Sequence, residues 1–454
     1  MRITPRREYI VLLVGDVAVF VLSLYLTLAL RYFEPPTSAL FQTHLAPFSV
    51  LFAIWIAVFF LAGLYGKHTR LFRSKLPATI LYTQLINVSL AALFFFILLP
   101  VFGLAPKTIL VLYLAISFGL IYFWRVGVFP RLPRLLRGRK LRGILIANGP
   151  DAEALAKEVA TDRRYPFKFE YVIDTAHTPS HEVIQRALRL LEDDEMTFVV
   201  ADTSDKAFEA VRPIMYDIAF RKRKFAIIDV VELYQEVFDK VPLSLVAYDW
   251  VLASVSASSL YDSLKRVIDI AGALIVGTVT LVLYPLVILA IKLDDGGPVF
   301  ISQNRVGRFE KPIRIMKFRT MTGNDEGKYE GGKTTLSVTR TGKWLRLLRI
   351  DELPQLWNVV RGDLSLVGPR PELPALAREY SARIPYYNAR YLVTPGLSGW
   401  AQLKHDRHPH HGENIGETKE KLSYDLYYLK HRSLLLDIFI ILQTIRVVLT
   451  ARGT

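Results

Sequence analysis

Four long apolar stretches fill the first 130 residues, running from Tyr9 to Phe33, Leu45 to Tyr65, Ala78 to Phe102 and Thr108 to Phe129. Each reaches the ~20 residues that a helix needs to cross a bilayer core. The first is too long for a cleaved signal peptide, lacks a small-residue cleavage site and is followed by further spans. The pattern predicts four transmembrane helices within residues 1–135. Basic residues precede the first span (Arg2, Arg6, Arg7), join the second to the third (Lys67, Arg70, Arg73, Lys75) and follow the fourth (Arg131, Arg134, Arg137, Arg139, Lys140, Arg142). Positive charge stays on the cytoplasmic side, so both ends of this unit, and all that follows it, are expected inside. Asp16 lies within the first span. An intramembrane carboxylate is a functional candidate by default, but this one stands about two turns from the basic N-terminus, where a water-reachable structural role is expected. Few polar residues are expected to line the spans, which argues against a transporter.

Beyond Arg142 the periodicity changes. Short β-type runs at Gly143–Ala147, Phe169–Ile173, Phe198–Ala201 and Phe225–Val231 alternate with helical patterns such as His181–Glu192 and Ala207–Phe220. Such alternation predicts a Rossmann-like α/β domain over residues 140–256. The turn after the first strand reads Asn148, Gly149, Pro150, Asp151, Ala152, Glu153. A dinucleotide fingerprint needs several glycines so that backbone amides can approach a pyrophosphate. With Gly149 alone, and two acids where phosphate would lie, a structural or assembly role is expected.

A fifth apolar stretch, Val267–Ile291, is broken at Pro285 and carries basic residues on both flanks. A proline breaks the hydrogen-bond ladder. The segment is therefore expected to enter the bilayer, bend near Tyr284–Pro285 and return, a fifth full span being the alternative. The last apolar run, Leu434–Leu449, is interrupted by Asp437, Gln443 and Arg446 and reads as a helix lying on the membrane or against the domain.

The composition agrees with this mixed layout. The 454 residues are 52% hydrophobic and 22% charged, too apolar for an ordinary soluble chain and too charged for a bundle alone. The absence of cysteine excludes disulfides, iron–sulfur clusters and thiolate-bound zinc. The formal charge of +15 gathers beside apolar segments, which favours an anionic membrane surface over nucleic acid.

The most informative run is Arg346–Pro371, RLLRIDELPQLWNVVRGDLSLVGPRP. Asp351 and Glu352 are adjacent, and Pro354 follows closely, which places the pair where a helix begins. Arg346 and Arg349 precede the acids; Arg370 follows, stiffened between Pro369 and Pro371. Guanidinium groups grip phosphate oxygens through two parallel hydrogen bonds. A carboxylate there could hold Mg2+, attack phosphorus or take a proton. Equally, Asp351 could simply cap the helix, with Glu352 favourable in its first turn. Between Gln402 and Tyr424 lies a loop with His405, His408, His410 and His411, whose spacing sets up no metal site.

Five segments carry a resemblance: Lys265-Arg266 with Asp269, Gly296–Arg308 (GGPVFISQNRVGR), Lys317–Met321 (KFRTM), Asp351–Pro371 and Pro395–Leu403 (PGLSGWAQL). In order and spacing they resemble the bacterial sugar transferases, the polyprenyl-phosphate hexose-1-phosphate or monotopic phosphoglycosyl transferases. The spans and the middle domain resemble the large form of that family. The resemblance implies a catalytic α/β domain over residues 258–454, with a re-entrant helix at 267–291 and interfacial helices. It implies that Asp351 attacks the sugar-bearing phosphate, that Glu352 assists, and that both hold Mg2+. It implies phosphate or substrate contacts from Arg346, Arg349, Arg370, Lys317, Arg319 and Gln402, and a membrane break at Tyr284 and Pro285. The implied substrates are a UDP-sugar and undecaprenyl phosphate. The products are undecaprenyl-diphosphate-sugar and UMP, at the start of exopolysaccharide, capsule or O-antigen synthesis. The setting would be the bacterial inner membrane, as a possible homodimer, with no nucleic-acid partner. The alternatives are a glycosyltransferase that moves only the sugar and an inactive membrane scaffold or regulator of polysaccharide assembly.

Overall fold

The computed structural model describes residues 6–65, 76–97, 107–129, 140–162, 167–176, 196–203, 226–246, 259–322, 337–405 and 414–449, with scattered single positions between them. The chain divides into two compact units, Met1–Leu141 with Arg163–Lys168, and Arg142–Asp162 with Phe169–Thr454.

The first unit contains α1 (Arg6–Tyr32), α2 (Ser38–Leu61), α3 (Leu76–Ile97) and α4 (Lys107–Tyr122), the last continuing into a π-helical turn at Phe123–Val128. These helices are long and apolar enough to cross a membrane, as is the Leu260–Asp294 segment of the second unit. Their interior is aromatic: Trp55 packs on Phe20 and Tyr113 with ring centroids 5.5 and 5.0 Å apart. It is also more polar than the sequence suggests. Asp16, Ser23, Thr27, Thr83, Gln84, Asn87, Ser117 and Arg125 are all buried in it. Small polar side chains satisfy themselves on the preceding turn, as Thr27 does on the Ser23 carbonyl at 2.6 Å, so they read as apolar along a helix.

The expected exposure of Asp16 is corrected. Its side chain is 0% exposed and takes both Nε (3.1 Å) and Nη2 of Arg125, together with the Tyr65 hydroxyl at 2.7 Å. Arg125 also donates to the Leu64 carbonyl at 2.8 Å. One ion pair thus ties α1, the end of α2 and the end of α4 together. The partners of Asp16 are thus Arg125 and Tyr65.

The second unit opens with a four-stranded sheet in the order β2-β1-β3-β4, made of β1 (Leu141–Ile146), β2 (Phe167–Ile173), β3 (Met196–Ala201) and β4 (Ala226–Asp229). Strands β1, β3 and β4 run parallel, with Gly143 opposite Phe198 and Ala201 opposite Asp229. A Cβ on Gly143 would run into the Phe198 ring, so the close register requires glycine there. The expected helices at 181–192 and 207–220 fall largely outside the described residues. Gly149, at φ 86°, turns the chain into α5 (Pro150–Thr161). Asp151 then accepts the Ser244 amide (3.1 Å), the Ser244 hydroxyl (2.6 Å) and the Tyr234 hydroxyl (3.0 Å). The acid at the first turn is thus engaged by the chain itself. Helix α6 (Val230–Phe238) leads into a segment fastened to the C-terminal half. The Asp239 carbonyl accepts Trp400 Nε1 at 2.8 Å, and Val241 N donates to the Ser423 carbonyl at 3.1 Å.

The fifth apolar stretch forms α7 (Ser259–Thr280), a 3-10 turn at Leu281–Leu283 and α8 (Tyr284–Asp295), with Pro285 in the first turn of α8, where its missing amide costs nothing. An antiparallel pair follows, β5 (Phe300–Val306) and β6 (Pro312–Phe318). Ala273 of α7 packs in the cluster of Ile315, and Val287 and Ile291 of α8 in that of Phe318. The 3-10 turn joins the two helices with right-handed helical backbone on both sides, Thr280 at φ −82°, ψ −12° and Leu283 at φ −80°, ψ −22°. Val267, Leu274, Ile275, Val279, Val282, Leu286 and Leu293 stay exposed, an apolar surface of the kind lipid covers.

The remaining elements are α9 (Arg340–Leu347), a 3-10 turn at Ile350–Gln355, α10 (Leu356–Arg361), β7 (Ser365–Val367), α11 (Pro374–Arg383), a 3-10 turn at Tyr387–Leu392, β8 (Gly396–Ser398), α12 (Trp400–Lys404), α13 (Ile415–His431) and α14 (Leu434–Leu449). Helix α14 lies against the domain. Asp437, which interrupts its apolar run, is buried and accepts Tyr261 (2.9 Å), Lys265 (3.0 Å) and Tyr428 (2.9 Å).

Candidate active site

The acid pair sits in the 3-10 turn between α9 and α10. Arg349 precedes it in the left-handed region (φ 56°), so the backbone reverses abruptly and sets the turn against β6. No side chain caps this turn. The capping role open to Asp351 is therefore not the one it has.

Glu352 is surrounded by cations. Arg370 Nη2 donates to its Oε1 at 3.1 Å; Lys317 Nζ lies 3.9 Å from the same oxygen and Arg349 Nη1 3.8 Å from Oε2. Burial pushes its carboxyl up, but the charges of Arg370, Lys317 and Arg349 outweigh burial and hold it down at about 2. Glu352 is thus a fixed anion that organises three basic side chains. Asp351 has the opposite balance. Burial first, and then the Glu352 charge, push it up to about 6 against Lys317, Arg346 and Arg349. Its side chain makes no hydrogen bond among the described residues and is 8% exposed. Burial brings the Lys317 ammonium down to about 8, with Glu352 pulling the other way and Arg370 and Arg305 adding repulsion. One carboxylate charge-balanced by its neighbours beside one whose carboxyl is pushed up is a pairing suited to acid–base or nucleophilic work.

The expected residues are not all brought to this point. Arg346 donates to Thr320 at 2.9 Å and contributes its charge to the field at Asp351. Arg319, itself buried, is turned toward the exposed Asp295 at the end of α8, in an ion pair that ties the end of that helix to the domain. Gln402 lies on α12 with a buried Oε1 that has no hydrogen-bond partner, and no contact joins it to the acid pair. Tyr284 stacks edge-on against Phe318 of β6, centroids 4.9 Å apart, at the start of α8 with Pro285. His405 is buried beside Glu420 at 3.4 Å; His408, His410 and His411 lie outside the described residues. One cation was missed. Arg305 of β5 adds to the field at Lys317 and donates to the Pro371 carbonyl at 3.4 Å. It stands within the Gly296–Arg308 segment, and only strand pairing reveals that it comes round to the Arg370 loop.

The donor set fits a hard divalent cation only in part. Among the described residues there is no cluster of three or more His, Cys, Asp or Glu. Mg2+ is commonly held by one or two carboxylates with substrate phosphates supplying the rest, and the unengaged Asp351 carboxylate, with Glu352 beside it, meets that requirement. The excess of cations over acids fits a ligand carrying two phosphates.

Residues 260–451 match the family model described as bacterial sugar transferase. The chain is similar, at 42% identity over 44% of its length, to the UDP-N-acetylgalactosamine-undecaprenyl-phosphate N-acetylgalactosaminephosphotransferase of Aeromonas hydrophila, covering 47% of that protein. It is 41% identical over 42% of its length to the UDP-glucose:undecaprenyl-phosphate glucose-1-phosphate transferase of Caulobacter vibrioides, covering 71% of it. A third relative, an uncharacterized sugar transferase of Bacillus subtilis, is 39% identical over 42% of the chain and is covered to 89%.

Proposed function

The chain belongs to the bacterial sugar transferase family, and from that premise we propose that it transfers a hexose-1-phosphate from a UDP-sugar to undecaprenyl phosphate, releasing UMP. The observation that carries this reading is a buried Asp351 carboxylate with no hydrogen bond among the described residues, beside a Glu352 flanked by Arg370, Lys317 and Arg349. Asp351 attacks the β-phosphorus of the UDP-sugar; the bond to the bridging oxygen breaks and its electron pair leaves with UMP. The aspartyl-phosphate–sugar is then attacked by the oxygen of undecaprenyl phosphate, which restores the carboxylate and forms the diphosphate link. Arg370 and Lys317 neutralise the charge that develops on the phosphate oxygens, and Glu352 keeps both in place. Mg2+, held by Asp351 and Glu352 with substrate oxygens, would supply further charge neutralisation on the phosphate of the leaving UMP.

The bent α7–α8 segment enters and leaves the bilayer by one face in this reading. Both of its ends are bonded to the same domain: Arg266 to the carbonyls of Val359 and Val360 (2.6 and 2.7 Å), Asp294 to the Thr341 amide (2.8 Å). A lipid-borne phosphate would thereby meet the acid pair at the membrane surface, on the cytoplasmic side of the inner membrane. The decisive experiment incubates the purified full chain with undecaprenyl phosphate and a panel of UDP-sugars. UMP and a lipid-linked diphosphate sugar are expected. Release of UDP would point to transfer of the sugar alone, and no turnover with any UDP-sugar would overturn the assignment. No observation favours the scaffold alternative.

A further inference from the structure

The segment that presents Arg370 has no regular secondary structure, yet each of its carbonyls is held. Pro369 O accepts the Gly396 amide (2.9 Å), Arg370 O accepts Arg390 Nη2 (3.1 Å), Pro371 O accepts Arg305 Nη1 (3.4 Å) and Glu372 O accepts the Val306 amide (2.9 Å). Two of these residues are prolines and have no amide to give, so the carbonyls are the handles by which the segment is fixed. Three of the four handles come from strands or strand ends. The fourth, the one at Arg370 itself, comes from a side chain on the Tyr387–Leu392 turn.

That side chain is costly to place there. Arg390 is 7% exposed and Asp425, its ion-pair partner at 2.8 Å, is 1% exposed. Its Nη1 donates to the Tyr387 hydroxyl at 2.6 Å, and Glu372 lies 3.8 Å away. A buried pair of this kind contributes little net stability compared with apolar packing, because both charges lose their water. Its value lies in geometry: one rigid guanidinium, oriented by Asp425 and Tyr387, points at one carbonyl.

We infer that Arg390 is a positioning residue for the reaction, fixing through the Arg370 carbonyl the direction in which the Arg370 guanidinium meets a nucleotide phosphate. The inference rests on the phosphate-transfer reading above. Arg390 touches no substrate; its effect passes through Arg370.

The test is a double-substitution cycle on the full chain, reading the dissociation constant of UMP by calorimetry and the thermal midpoint alongside. Arg390→Lys keeps a cation for Asp425 but cannot reproduce the fork that also reaches Tyr387 and the carbonyl. It is expected to melt within a few degrees of wild type and to bind UMP about 5- to 10-fold more weakly. In an Arg370→Ala background the same change should cost less than about 2-fold, because the group it positions is gone. If Arg390→Lys proves unstable, Tyr387→Phe loosens the guanidinium without removing the buried ring, and the same pattern is expected at smaller amplitude. Wild-type affinity in a folded Arg390→Lys variant, or an equal loss with and without Arg370, overturns the inference while leaving the function standing. Failure of the wild-type chain to bind UMP would instead remove the function itself.

Discussion

At the scale of the residue, the two acids carry opposite consequences. Asp351→Asn removes the carboxylate proposed to attack phosphorus, and turnover should fall by several orders of magnitude. Wild-type enzyme given UDP-sugar without lipid should release up to one equivalent of UMP and hold the phosphosugar on Asp351; mass spectrometry showing no adduct would sink the covalent step. The same variant should gain stability. The Asp351 carboxyl rises from 3.8 to about 6 on folding, so the native state holds its proton more tightly, and stability is lost as pH climbs through that window. Relief of that burden is of order 1–3 kcal/mol near pH 7, read as a rise in the melting midpoint. Glu352 works in reverse: lowered from 4.5 to about 2, it stabilises above its ordinary range and loses that contribution as pH falls through it. Catalytic efficiency should climb as Asp351 deprotonates near pH 6 and decline as Lys317 loses its proton near 8. A Lys317→Arg variant that still declines near 8 would show that another group sets the upper limb. Much of this site is legible in the run Arg346–Pro371, because adjacent acids among arginines are a local pattern. Arg305 and Arg390 are not, since strand pairing and a tertiary turn bring them in from 65 residues before and 20 residues after Arg370.

At the scale of the element, whether the α7–α8 segment turns back, as proposed, or crosses decides topology. Reporters placed near Ser256 and at the C-terminus should both lie on the cytoplasmic side, and a C-terminus on the opposite face would mean that the segment crosses. Pro285 marks the junction of α7 and α8 in the sequence because its missing amide must fall in a first turn. What holds the end of α8 could not be read there. Arg319 stands in the run Lys317–Met321 among apparent phosphate ligands, but its guanidinium meets Asp295, the last residue of α8. Arg319→Ala is therefore expected to loosen α8 and raise proteolytic sensitivity around Asp295, with a smaller effect on UMP affinity than Arg370→Ala. A larger loss of UMP binding than that of Arg370→Ala would put Arg319 back among the ligands.

At the scale of the molecule, the alternation of apolar and polar runs marks out spans, sheet and catalytic region, while the fastenings between them depend on single distant residues. Asp239–Val246 is one example, bonded to Trp400, Ser423 and, through the Val246 carbonyl at 3.0 Å, Tyr386. A fragment of residues 258–454 loses these partners. It should keep transferase activity in detergent but melt several degrees below a fragment beginning at residue 226, which retains β4 and α6. Equal midpoints would mean that the segment adds nothing to the catalytic half.

The ion pair inside the helix bundle has a consequence in time. Asp16 and Arg125 are separated by 109 residues, so the acid is synthesised and delivered to the membrane well before its partner exists. At ordinary rates of elongation the interval is about 5–20 s. During it the carboxylate faces apolar surroundings alone, where a charge is costly. The first helix is therefore expected to become fully stable in the bundle only when the fourth brings Arg125 to Asp16, so that Arg125→Ala should impair assembly of the bundle as a whole.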